Sequence, residues 1–172
     1  MKKILILLLI FSSITCSSQN HLTFLDYPIT GSLEEFVKVL ENKGFKKTYN
    51  HGWFKKMKTK YLRGSFWQFP DCDIVVRQPK KYNNVTSVYV HPHSNFLLLN
   101  DLLYALDRKY GEHQEQYSNS DINIRNYYWS MPEGSITIFA TTTYGQNFDI
   151  VYRDFTEVNI LERYSELIDD DL

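Results

Sequence analysis

The chain has little cysteine, no long hydrophobic run and no excess of basic charge. Only Cys16 and Cys72 occur in 172 residues, so no disulfide framework can hold the folded part together. Two thiols could pair only if Cys16 stayed free and in reach. Cys72 stands in the alternating run Cys72-Ile74-Val76 and reads as a buried apolar side chain rather than a reactive thiol. The longest unbroken apolar stretch follows Lys2 and Lys3 and ends near Phe11. It is too short for a spanning helix, which needs about 20 residues. Removing Lys2 and Lys3 from the 19 basic residues leaves 17 against 20 acidic ones, a net of −3. Such a balance is no electrostatic footprint for nucleic acid. Catalytic signatures are absent as well, with neither a Gly-x-Ser-x-Gly elbow nor Ser-x-x-Lys.

What is present at the N-terminus is the layout of a secretory signal: a basic start, an apolar centre and a small-residue exit through Ser12, Ser13, Thr15, Ser17 and Ser18. Residues 1–18 are therefore expected to be a signal segment, with export to the periplasm, the outer membrane or the medium. Cleavage after Ser18 would leave Gln19 first. Cleavage before Cys16 would make Cys16 a lipid-bearing residue and the sole membrane attachment. The lipoprotein box carries Leu three places before its cysteine and Gly or Ala just before it, where this chain has Ser13 and Thr15.

Aromatic residues make up 16 % of the chain, with 13 Tyr. They favour strands, and in a domain of this size some must reach the surface. Ser32-Leu33-Glu34-Glu35 is a capping box, and Leu33, Phe36, Val37 and Leu40 follow at helical spacing until Gly44. A short strand is expected before it, over His21 to Ile29. Strand-like runs then follow at Trp53 to Lys58, Leu62 to Phe69, Cys72 to Arg77 and Thr86 to His91, as in an antiparallel meander. A second helix is expected from Asn95 to Tyr110, stopped by Gly111. Four more strands are expected at His113 to Tyr117, Ile124 to Ser130, Ser135 to Thr142 and Phe148 to Asp154. A closing helix over Glu157 to Ile168 precedes an acidic tail.

Helix, glycine and four strands occur in that order twice. Cys72 to Val76 stands 63 residues before Ser135 to Phe139, and Val88 to Val90 stands 62 before Ile150 to Tyr152. The sequence reading is one α+β domain over 19–172, a duplicated helix-plus-four-strand unit with pseudo-repeats about 30–92 and 94–155 and helices on one face of the sheet.

The segment Tyr27-Pro28-Ile29-Thr30-Gly31-Ser32-Leu33-Glu34-Glu35-Phe36-Val37, with Lys43-Gly44-Phe45 after it, resembles the opening of a family of small exported proteins of Gram-negative gut bacteria. Val151-Tyr152-Arg153-Asp154 is similar to that family's ending. The resemblance covers the ends, implies export and brings no active site. The repeat also resembles, at the level of fold, the duplicated β-lactamase-inhibitor-protein-like domains, among them small outer-membrane assembly lipoproteins. Fold does not fix function.

Candidate chemistry is sparse. His91 and His93 can share one side of an extended segment, with His51 or His113 as a third donor. A zinc site needs three or four ligands with supporting partners, and a surface pair is the plainer reading. Glu112, Glu115, Asp121 and Glu133 offer carboxylates, with no spacing that selects two for hydrolysis. Lys55, Lys56, Lys58, Lys60 and Arg63 interleave with Trp53, Phe54, Tyr61 and Trp67, as in single-strand nucleic-acid surfaces, but export and the negative balance favour a protected sheet edge. What remains is binding. Trp53, Tyr61, Trp67, Tyr89, Tyr127 and Trp129 are the candidate aromatic face for a protein or glycan of the envelope, since such residues dominate interface hot spots. The alternative for Trp67 and Trp129 is packing under the helices. The expected function is an exported, non-catalytic binding or structural protein without cofactor or nucleic acid. A small envelope hydrolase and a periplasmic metal-binding protein are the competing classes.

Overall fold

The computed structural model describes residues 20–49, 57–93, 98–117, 124–141 and 147–156. The expected signal segment, Cys16, Trp53 and the closing helix lie outside the described residues.

The capping box forms as its residue types dictate. Ser32 is extended (φ −66°, ψ 152°), its Oγ accepts from the Glu35 amide, and Glu35 Oε2 accepts from the Ser32 amide and hydroxyl. These hydrogen bonds hold the Glu35 carboxyl below its usual range. Helix α1 (Leu33–Asn42) buries Leu33, Phe36, Val37 and Leu40. It ends where Gly44 turns left-handed at φ +98° and Phe45 N–H donates to Leu40 O. The buried amide of Gln78 ties the helix start to the sheet, accepting from Leu33 N–H at 2.9 Å and donating to Tyr82 O.

Before α1, β1 (Thr23–Phe24) and β2 (Tyr27–Pro28) form a small hairpin, so the single strand expected over His21 to Ile29 folds back on itself. After α1 come β3 (Lys46–Thr48), β4 (Met57–Phe66), β5 (Phe69–Pro79) and β6 (Ser87–Pro92). Then follow α2 (Leu99–Tyr110), β7 (Gln114–Tyr117), β8 (Ile124–Met131), β9 (Gly134–Thr141) and β10 (Phe148–Asp154). Strands β3 to β10 make one antiparallel sheet of order β3-β4-β5-β6-β10-β9-β8-β7. The chain turns at Trp67-Gln68, so the run expected as one strand from Leu62 to Phe69 is divided between β4 and β5.

Of the described residues, 53 % are strand and 20 % helix. Among the described residues the fold is mostly β, two helices beside one eight-stranded sheet, which corrects the duplicated α+β unit read from the sequence. The physical reason lies at the centre. Strand β6 pairs with β10, so all eight strands share one ladder and one core, and neither half closes around a core of its own. Register carries apolar rows across the sheet: Leu62, Ile74, Val90, Ile150, Ile138 and Tyr127 in one, Val76, Val88, Tyr152, Ile136 and Trp129 in the next. All are buried and join the buried leucines of α1 and α2 in one cluster. A fully buried side chain of this kind contributes about 1.5–3 kcal/mol.

Candidate functional site

Two hairpin tips and one helix enclose the site. Leu25 and Asp26, the turn between β1 and β2, both take left-handed backbone, at φ +51° and +61°. That is the primed turn of a tight hairpin, which ordinarily selects Asn-Gly. Trp67, at the β4–β5 turn, is left-handed as well, at φ +51°. Among the described residues these are the three non-glycine residues with positive φ. Left-handed backbone costs an ordinary residue about 1–2 kcal/mol, and such strain gathers at clamps and binding sites. All three line the same cleft, of about 220 Å³.

The opposite wall is one side of α2: Leu102, Ala105, Leu106, Lys109 and Tyr110. The sequence faces them this way because Leu102 and Leu106 belong to the buried stripe of α2 and sit one turn apart. Phe66 and Tyr152 close the cleft from the sheet. They are braced by Phe24, which stacks on Phe66 at 5.5 Å and meets Tyr152 edge-on at 5.2 Å. Burial raises the Tyr152 phenol far above its ordinary value, with the neighbouring Tyr110 adding to the effect, so Tyr152 stays neutral at physiological pH. Trp67 is 38 % exposed and stands at the rim.

The mouth carries two charges. Lys109 Nζ lies 3.7 Å from Asp26 Oδ1 and 5.2 Å from the centre of the Tyr110 ring. Asp26 is 92 % exposed and Lys109 52 %. Exposed pairs of this kind generally contribute under about 1 kcal/mol, so either partner exchanges readily. Two like charges about 4 Å apart repel by about 1 kcal/mol in water, the regime of side chains this exposed. The lining offers an apolar seat to which Phe66, Trp67, Tyr110 and Tyr152 bring rings, with one acid and one base at its entrance.

Comparison of this chain with protein-family models, curated proteins and solved structures finds no match. Its site is therefore read from its own residues.

The six aromatic residues expected on one face are divided. Tyr61 and Tyr89 share a half-buried row on the sheet face away from the helices, and Tyr128 stands at its far end. The Arg77 guanidinium lies 3.9 Å from the Tyr89 ring centre. Tyr127 and Trp129 point the other way, at 8 % and 2 % exposure, into the core. The Trp129 indole N–H donates to Asp107 Oδ1 and Gly111 O, both at 3.0 Å, which fastens the end of α2 to β8. Trp67 belongs to the cleft, and Trp53 lies outside the described residues.

His91 and His93 sit side by side, ring centres 5.5 Å apart. Each is engaged by a carboxylate: His91 Nδ1 with Asp149 at 2.5 Å, His93 Nε2 with Asp73 at 2.9 Å. Among the described residues no group of three or more His, Cys, Asp or Glu is placed to hold a metal ion. Arg63 grips Asp71 with two parallel hydrogen bonds, which lower the Asp71 carboxyl below its usual range. Cys72 is fully buried, and burial pushes its thiol up to about 11. Sequence reasoning missed Leu25, Asp26, Lys109 and Tyr152 as site residues. Leu-Asp is no turn signature, and nothing local announces that α2 faces it.

Proposed function

We propose that the mature chain is an exported, non-catalytic binding protein of the cell envelope and that the cleft under Trp67 is its ligand seat. The convergence on one cleft of Leu25, Asp26 and Trp67, the three left-handed non-glycine residues among those described, carries this reading. Strained backbone on two separate hairpins is retained where it shapes something, and here it shapes the same walls. The apolar lining with few polar groups is the usual make-up of small-ligand sites. Export rests on the layout of residues 1–18.

Calorimetric titration with 3-phenylpropanol, an uncharged ring-bearing probe, tests the seat. The expected result is saturable heat in the wild type and its loss in Ala105→Phe, which fills the cleft from the half-exposed wall of α2. Equal heat in both proteins, with the variant shown to fold, would assign the probe to another surface. No saturable heat in either would remove the cleft as a binding site.

A further inference from the structure

The mouth of the cleft constrains its ligand more than the floor does. Asp26 and Lys109 belong to facing walls, one on the strained β1–β2 turn and the other on the last turn of α2, and their charged atoms are 3.7 Å apart. The left-handed turn sets the Asp26 backbone at the rim of the cleft, on the side facing α2. A ligand with a single negative charge can take Lys109 only by standing beside Asp26, where like charges repel. A single positive charge meets the same obstacle at Lys109. A zwitterion meets neither obstacle, because each of its charges finds the opposite sign. It exchanges one weak pair for two.

The floor sets the rest of the ligand. A cavity of about 150 Å³ takes a benzene ring, so a seat of about 220 Å³ holds a ring and the carbon that links it to a head group. Phe66, Trp67 and Tyr152 suit an aromatic or branched apolar side chain. From this charge complementarity and size, and resting on the reading of the cleft as a ligand seat, we propose that the ligand is a free α-amino acid with an apolar ring or branched side chain. Its ammonium pairs with Asp26, its carboxylate pairs with Lys109, and its side chain enters between Trp67 and Leu106.

Three ligands with the same ring and linker test the assignment by calorimetry: phenylalanine, 3-phenylpropanoate without the ammonium, and phenethylamine without the carboxylate. Phenylalanine is expected to bind severalfold more tightly than either. Asp26→Asn, in a turn where Asn is well tolerated, should bring phenylalanine down to the level of 3-phenylpropanoate. Lys109→Gln should bring it down to the level of phenethylamine. Both side chains are largely exposed, so the variants should fold, and thermal melts will show it. Glycine, which has the head group alone, should bind at least tenfold more weakly than phenylalanine. If either singly charged ligand matches phenylalanine, or phosphatidylethanolamine vesicles bind and phenylalanine does not, the amino-acid assignment is overturned while binding of 3-phenylpropanol keeps the cleft as a seat. If 3-phenylpropanol fails too, both readings fall.

Discussion

The carboxylate of Asp154, at the end of β10, accepts a hydrogen bond of 2.6 Å from the backbone N–H of Leu22, 132 positions earlier in the chain. The same side chain lies 3.3 Å from His21 Nδ1 and accepts from the Thr156 N–H at 2.9 Å. Both Asp154 and Leu22 are buried, at 4 % and 1 %. The segment leading to the cleft hairpin is thus pinned to the sheet through one acid.

Asp154→Ala leaves the buried Leu22 N–H without its acceptor. An unsatisfied buried donor costs about 1–3 kcal/mol, and the loss of the His21 and Thr156 contacts adds to that. A fall of about 2–4 kcal/mol in stability is expected by urea unfolding, with ligand binding at the cleft weakened because its hairpin is loosened. A fall below about 0.5 kcal/mol would show that the hairpin is held by other contacts.

Gly134 and Gly64 give a paired test of backbone crowding. A Cβ on Gly134 would stand 2.1 Å from the carbonyl oxygen of Arg153, which is ladder backbone and cannot move without breaking the β9–β10 pairing. On Gly64 it would meet the Phe45 ring at 2.5 Å, and a side chain can shift. Gly134→Ala is expected to cost more than about 3 kcal/mol or to prevent folding, against about 1–3 kcal/mol for Gly64→Ala, the usual range for overpacking. Thermal melts of the two variants decide the order.

Cys72 gives a prediction on the alkaline side. Burial raises its thiol from 9.0 to about 11 in the folded protein, so the unfolded chain ionises first. The stability this group contributes is complete below pH 9 and is lost as pH rises toward 11. Unfolding free energy should therefore fall more steeply between pH 9 and 11 in the wild type than in Cys72→Val. The native thiol should also react with an aromatic disulfide reagent at pH 8 only as fast as the protein opens. Immediate reaction would mean that the strand around Cys72 is accessible.

Leu25→Asn separates strain from packing. Leu25 is partly buried against the core, and its loss on unstrained backbone would destabilise the fold. Asn tolerates the left-handed conformation that leucine resists. The two effects offset, and a net change within about 1 kcal/mol is expected in thermal melts, while 3-phenylpropanol binding drops at least fivefold. A loss above about 2 kcal/mol would show that packing alone decides this position.

The legible parts of the fold were those with a local signal. The Ser32 capping box, the Gly44 and Gly111 stops and the alternation through Cys72-Ile74-Val76 and Ile136-Ile138 all speak within a few residues. The face of an aromatic residue does not. Tyr127, Tyr128 and Trp129 are three aromatics in succession, so nothing in their order says which point inward, and one step along a strand reverses the face. The cleft was still less visible, because it joins a Leu-Asp turn to a helix more than 70 positions away and depends on backbone angles those residues disfavour.

The position of β10 in the sheet has a consequence for how the molecule comes together. The last of the described strands to be made lies between β6 and β9 near the centre, not at a margin. Until residues 148–154 are free to insert, β6 and β9 each present a bare, strongly apolar ladder edge. A chain made from its N-terminus, and threaded across a membrane if it is exported as proposed, holds those edges unpaired until its last strand emerges. Assembly of the sheet then waits on the final strand, and the interval before its arrival is when aggregation threatens most.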